Sequence, residues 1–490
     1  MSQQKKHNLS RREFLRVGAT ATGAALLAAC GATPTPTAQQ PTQAPQVIEK
    51  IITQAPQIVQ ETVQVMQTVV VEPTLAASPV PLPPGVVKFS RYSAFTGQER
   101  FYSLLFSLWK DRNPGCTVQA EFAGGDTYWT RVQTEIAAGT TPDVGIADYG
   151  RTVSFAKDGI LLDLGPYIEA DKYPLDPFPP ATLAQYTWKD GDFDSGGTGG
   201  KTYGLPYDAQ PYIIVYNKTL FDKAGVATPT DAWTWDDFVT AAKKLTNPAD
   251  DKWGTYLPDT WGMLGGEFVY SAGGEIISKD FKTSGLDMPE TISAYKWAWD
   301  LVYTHKVAPH PVPSEAVNPF ASGRVAMYHG GVWWINEFAN ITDFEWDIAY
   351  YPKNPTTGKR TMTAQSDGWW MYKQAANNPR AWDFFKFMMS EEVQGKLSDM
   401  NMGVPPVRAS ISQRWYGKTP PANRPLAREQ LTADNRKVAN TFYDNANILS
   451  AVTPIFDKAF YDGQDVEVQA KAAAKAMNDG LTKAWAKFGA

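Results

Sequence analysis

Residues 203–218 read Tyr203-Gly204-Leu205-Pro206-Tyr207-Asp208-Ala209-Gln210-Pro211-Tyr212-Ile213-Ile214-Val215-Tyr216-Asn217-Lys218. The run joins a polar, aromatic turn to a short apolar strand. Ile213, Ile214, Val215 and Tyr216 are β-branched or aromatic, as a buried strand requires. Pro206 and Pro211 each fix their own φ and restrict the residue ahead, so Tyr207, Asp208 and Gln210 sit on stiffened backbone. Such a segment at the mouth of a sheet is where α/β folds bind ligands.

Upstream, strand and helix signals alternate. Val86-Val87-Lys88-Phe89 reads as a strand. Phe101, Leu104, Leu105, Leu108 and Trp109 then follow at helical spacing. Val118–Phe122 reads as a second strand. A helix follows, on which Trp129 joins the apolar stripe of Val132 and Ile136, and Gly139 can end it. Asp143–Ala147 is a third strand, and a βαβαβ order implies a parallel sheet covered by helices. Downstream, Thr234 with Asp237 forms a capping box for the helix of Trp235, Phe238, Ala242 and Leu245. Trp297 and Trp299 fall on another helix near 290–304. The chain beyond residue 85 exceeds one comfortable core, so two lobes are expected.

The order of several fragments carries a resemblance. Gly204-Leu205-Pro206-Tyr207-Asp208 leads to Tyr216-Asn217-Lys218, Leu220-Phe221-Asp222-Lys223-Ala224-Gly225 and Trp233-Thr234-Trp235-Asp236-Asp237-Phe238. Ala137–Val144, Gly159–Leu164, Gly323–Met327, Gly330–Trp333, Ala381–Phe387 and Gly403–Pro406 accompany them. Together they resemble the extracellular solute-binding proteins of family 1, receptors of carbohydrate-type ABC importers related to maltose-binding proteins. The resemblance spans roughly residues 86–490. It implies an α/β, two-lobed periplasmic-binding-protein-like fold, each lobe a mainly parallel sheet with flanking helices, joined by three hinge crossings. The crossings are expected near Gln210, near Tyr351-Pro352 and near Val404. Lobe 1 is then 86–209 plus 352–403, and lobe 2 is 210–351 plus 404–490.

The N-terminus agrees with export. Ser10-Arg11-Arg12-Glu13-Phe14-Leu15-Arg16 resembles a twin-arginine signal, followed by an apolar stretch too short to span a membrane. Leu27-Ala28-Ala29-Cys30-Gly31 resembles a lipobox. Residues 1–29 are therefore read as a signal peptide and Cys30 as the lipidated first residue of the mature chain. Several acyl chains on one residue anchor stably, where one is marginal. Residues 30–85, dense in Pro, Thr, Gln and Ala, read as a semi-extended tether of at most about 150 Å. The expected location is the outer face of the cytoplasmic membrane, the protein held there by its lipid alone.

Composition narrows the classes. The chain carries a net charge of −5, which becomes −9 without the signal's five basic residues and one acidic residue. An acidic protein is a poor partner for nucleic acid. Cys30 and Cys116 are the only cysteines, so no disulfide framework is expected and Cys116 reads as a small buried hydrophobe. Four histidines, with no HExxH and no zinc spacing, call for no metal or cofactor. Gly197-Thr198-Gly199-Gly200-Lys201-Thr202 lacks the first glycine of a phosphate loop and reads as a flexible surface loop. A carboxylate pair for glycoside hydrolysis is a matter of spatial separation, which sequence does not supply.

Aromatic residues make up 13% of the chain. A pyranose offers an apolar C–H face to flat rings and equatorial hydroxyls to Asp, Arg, Asn and Gln. Each stack contributes about 0.5–1.5 kcal/mol and each charged hydrogen bond about 1.5–3 kcal/mol. A micromolar site needs only about 8 kcal/mol net. The resemblance carried residue by residue nominates Asp148, Tyr149 and Arg151 after the third strand, with Tyr207, Asp208 and Gln210 at the first crossing. It also nominates Trp261, Trp333 as a stacking ring, and the loop Asp367, Gly368 and Trp369. Ser93, Thr96 and Gln98 follow the first strand and are added as cleft residues. Trp129 and Trp334 are expected in the core.

The function expected is capture of a sugar or short oligosaccharide by hinge closure and delivery to a permease, by a monomer without catalytic activity. A glycerol-phosphate-like or other polyol ligand is the alternative; it calls for a basic pocket, and Arg151 is the one plain candidate. A secreted carbohydrate-active enzyme is the second alternative.

Overall fold

A computed structural model describes residues 84–92, 98–196, 199–256, 266–311, 318–399, 404–432, 436–438 and 441–489. The expectations for Cys30, Ser93, Thr96, Trp261 and the signal and tether lie outside these residues.

Two five-stranded sheets organise the chain. The first contains β1 (Gly85–Tyr92), β2 (Cys116–Ala123), β3 (Val144–Asp148), β6 (Gly204–Pro206) and β11 (Asp367–Met371), in the order β2-β1-β3-β11-β6. β4 (Thr187–Trp188) and β5 (Lys201–Thr202) form a separate small hairpin. β1, β2 and β3 are parallel, as the βαβαβ pattern predicts, and β11 and β6 run antiparallel beside them. Phe89 of β1 centres this lobe's core, with the rings of Tyr102, Phe122, Trp369 and Phe384 around it. The helix Gly125–Ala138 ends on Gly139 in the left-handed region (φ 67°), and Cys116 is buried.

The second sheet is built on β7 (Gln210–Asn217), every residue of which is buried. β8 (Met327–Gly331) and β9 (Trp346–Ala349) both pair with it antiparallel, and so does β10 (Met362–Gln365). Only β12 (Arg436–Val438) lies parallel to its neighbour β10. This sheet is therefore chiefly antiparallel, where a mainly parallel one was expected. A strand buried on both faces reads as a continuous apolar run in either arrangement, so Ile213–Tyr216 could not reveal its partners' direction. The capping box forms as anticipated: Thr234 and Asp237 hydrogen-bond reciprocally at the start of Trp235–Leu245.

Three passages connect the sheets, and the first two bond to one another. The chain leaves β6 through Tyr207-Asp208-Ala209 to enter β7, and leaves β10 through Ser366 to enter β11. Segment 404–407 lies against the first passage: the Ala209 amide donates to Pro405 O (3.0 Å) and Val407 to Tyr207 O (3.1 Å). Ser366 Oγ donates to Asp208 O (2.7 Å), tying in the second. Two expectations shift. β9 and β10 belong to one sheet, and Tyr351 packs inside that lobe against Phe268 and His329, so the second passage is at Ser366 rather than near Tyr351-Pro352. After 404 the chain stays with the first lobe, where Ser410 donates to Glu391 (2.8 Å). It reaches the second where the Asn423 amide donates to Asp347 of β9 (2.8 Å). Of the 197–202 segment, Lys201–Thr202 form β5 against Thr187–Trp188 rather than a loose loop.

Candidate functional site

A cavity of about 550 Å³ opens where the ends of both sheets meet the helix Asn445–Phe460. The first lobe contributes Tyr92 from the end of β1, Trp129, and the turn Asp148-Tyr149-Gly150-Arg151 after β3. From the second lobe come Tyr212 of β7, Tyr270, Thr363 and Gln365. The third wall is Phe442 with Asn445, Leu449 and Thr453 on successive turns of the 445–460 helix. Gly150 allows that helix to approach: a Cβ there would come 3.1 Å from Asn445 Nδ2.

The turn after β3 is shaped by its own side chain. Asp148 Oδ1 accepts from the Gly150 amide (2.8 Å), capping the helical turn Tyr149–Arg151. Asp148 Oδ2 faces Arg151 Nε at 3.6 Å. The Arg151 guanidinium lies 4.2 Å from the centroid of the Trp129 ring. A cation over an indole face in a partly dry site is worth roughly 1–2 kcal/mol and fixes both groups. Burial raises the Asp148 carboxyl, opposed by Arg151 and the Gly150 amide.

A polar chain runs from this turn into the hinge. Tyr149 OH donates to Gln365 Oε1 (2.8 Å), Gln365 Nε2 reaches Gln210 Oε1 (3.5 Å), and Gln210 Nε2 donates to Asp208 Oδ2 (2.9 Å). Asp208 Oδ1 accepts from the Asp367 amide (2.7 Å), and the Asp367 carboxylate accepts from Tyr92 OH, back at the cavity. Burial pushes Asp367 up to about 6, with the Asp148 charge adding to it, and burial and the Asp367 charge push Asp208 well above the usual carboxylate range.

The nominated residues therefore divide. Asp148, Tyr149 and Arg151 line the cavity. Asp208, Gln210 and Asp367 form the hinge network beneath it and touch it through Tyr92 and Gln365. Tyr207 and Trp369 stack on each other at 5.2 Å in the first lobe's core, 6% and 1% exposed. Trp369 points away from the cleft because its neighbours alternate along β11 and it takes the face that meets Phe89. Gly368 is buried, its Cβ position 2.5 Å from Leu205 O, so it serves strand approach. Gln98 is buried at the start of the helix Gln98–Arg112, away from the cavity lining. Trp333 stands edge-on to Tyr212 at 5.3 Å, one residue behind the wall. Trp334 stacks on Phe338, half in the core as expected.

Trp129 corrects the sequence reading. It was expected in the core, yet it lines the cavity, while Tyr128 beside it takes the buried place and hydrogen-bonds Ser90. One residue along a helix is a turn of about 100°, enough to exchange core for cleft. Sequence reasoning missed Tyr92, Tyr212, Gln365 and Phe442. The signal for the 445–460 helix was present: Asn445, Ser450 and Thr453 interrupt an otherwise apolar surface around Leu449.

Among the described residues no cluster of His, Cys, Asp and Glu could hold a metal ion, and no helix is long and apolar enough to cross a membrane.

Residues 93–395 match the bacterial extracellular solute-binding protein family, which is more than half of the chain. The chain belongs to that family. A binding protein of Brucella abortus is 27% identical to this solute-binding protein over 340 residues, covering 67% of this chain and 77% of the relative. A maltotriose-binding protein of Pyrococcus abyssi is 24% identical over 279 residues, covering 56% and 57%. Among solved structures, an ABC substrate-binding protein from Listeria monocytogenes in complex with cycloalternan superposes with a TM-score of 0.71. It is 28% identical, covering 82% of this chain and 100% of the other. The two-lobed binding-protein fold is shared throughout.

Proposed function

We propose that this solute-binding protein is the receptor of an ABC importer for a sugar or short oligosaccharide. The observation that carries the reading is the cavity wall. Flat rings (Trp129, Tyr92, Tyr212, Phe442) alternate with hydroxyl-reading groups (Asp148, Arg151, Gln365, Asn445) drawn from both lobes. Relatives that bind maltotriose and cycloalternan support it. Ligand contacts supplied by both lobes are complete only when the lobes meet, so ligand favours the closed arrangement. The two bonded passages, with segment 404–407 against them, are where that motion bends. The closed form then docks on a permease that spends ATP in the cytoplasm, and the chain releases its ligand unchanged.

Arg151 is the one lysine or arginine on the described cavity wall, and Asp148 already faces it. A phosphorylated ligand would meet that carboxylate, so a neutral glycan fits better. As a membrane protein it is held through Cys30 alone, as a monomer.

The test is tryptophan fluorescence of the full chain, titrated with mono- and oligosaccharides, with the ligand recovered afterwards and chromatographed. A saturable change and an intact saccharide are expected. Recovered cleavage products would make the protein a hydrolase instead.

A further inference from the structure

Behind the cavity wall lies a carboxyl group that the reading above leaves idle. Glu267 opens the short helix Glu267–Ser271 and is 1% exposed. One carboxyl oxygen accepts the Thr363 hydroxyl; the other, Oε2, has no hydrogen-bond partner among the described residues. Thr363 itself lines the cavity, and so does Tyr270, one turn along Glu267's helix.

Among the described residues no cation is near enough to claim the carboxylate. The titratable groups that sense it are Tyr149, after β3, and Tyr351, after β9. Beyond Phe268 and Tyr351 sits His329 of β8, its two ring nitrogens unpartnered among the described residues and burial holding it down to about 3. Burial pushes Glu267 up to about 7, opposed chiefly by the Thr363 hydrogen bond.

A hydroxyl has one proton to give. Thr363 gives its proton to Glu267, so toward the cavity it offers only lone pairs. We propose that Glu267 is a specificity-determining positioning residue: by taking the Thr363 proton it makes Thr363 an obligate acceptor, selecting ligands that present a hydroxyl donor at that point of the wall. The ligand hydroxyl, Thr363 and Glu267 then form a relay whose members polarise one another. The relay stabilises the carboxylate, so ligand binding lowers Glu267's proton affinity and releases a proton. By linkage, affinity rises with pH through about 7. The proposal rests on the carbohydrate reading only for the identity of the donor.

The experiment is calorimetry of the full chain with maltotriose and with cycloalternan at about pH 6 and about pH 8, in two buffers of different ionisation heat. A rise in affinity of about three- to tenfold with pH is expected, with proton release. Glu267→Gln should abolish the pH dependence, Thr363→Val should abolish it and weaken binding, and Thr363→Ser should retain it. Equal pH profiles in the native chain and Glu267→Gln would overturn the relay. If neither saccharide binds, the carbohydrate reading fails separately. The relay is then decided by infrared titration of the protonated carboxyl band lost in Glu267→Gln. Its midpoint should move up in Thr363→Val, and an unmoved midpoint overturns the proposal.

Discussion

Trp129 and Trp369 show how finely one side chain's direction divides binding from stability. Trp369 is 1% exposed, stacked on Tyr207 and packed against Phe89. Trp369→Ala should cost about 3–5 kcal/mol of unfolding free energy, read from the denaturant midpoint. A loss under about 1 kcal/mol would mean that the core does not depend on it. The sequence reading put Trp369 at the site and Trp129 in the core, whereas the structure buries Trp369 and sets Trp129 on the cavity wall. Trp129 shares a helical stripe with Val132, yet the stripe's edge, rather than its centre, is what faces the cleft. Asp148, Tyr149 and Arg151 were legible through the family resemblance, which puts ligand contacts in the turn after the third strand, and the structure places all three on the cavity wall. Tyr92, Tyr212 and Phe442 were not: each lies on or beside an apolar run that also reads as core, and only the meeting of distant segments turns them into a wall.

At the level of elements, the hinge joins two passages and segment 404–407 around Asp208 and Asp367. The apolar run of β7 and the prolines flanking 207–210 announced a strand fed by a stiff turn, and the structure agrees. What the sequence could not supply was the pairing: β10 and β11 are separated by Ser366 alone, and a change of sheet within one residue leaves no gap to read. The hinge also has a pH signature. Asp367 titrates at about 6 in the folded chain, above its unfolded value near 3.8. Between those values the folded state holds the extra proton, so this group's contribution to stability falls as pH rises through that window. Asp148→Asn removes the carboxylate charge that raises Asp367 and should flatten the fall in melting temperature between about pH 4 and about pH 6. An unaltered slope would show that the two carboxylates do not feel each other.

For the whole molecule, the fold follows from two sheets and a chain that returns between them. That much was visible in the alternation of strand and helix signals and in the length beyond residue 85. Anchoring belongs to the same scale. Cys30→Ser should move the exported protein from the membrane fraction to the soluble one, as read by fractionation; unchanged membrane association would mean that another segment anchors it.

The claim on which the rest depends is that the cavity flanked by Trp129 and Phe442 takes up an oligosaccharide. Calorimetric titration of the full chain with maltotriose and cycloalternan, beside Trp129→Ala, tests it most directly. Saturable binding at about micromolar affinity is predicted for at least one of them, weakened about tenfold or more in the variant. Equal affinity in the two proteins, or no binding of either saccharide, would contradict it.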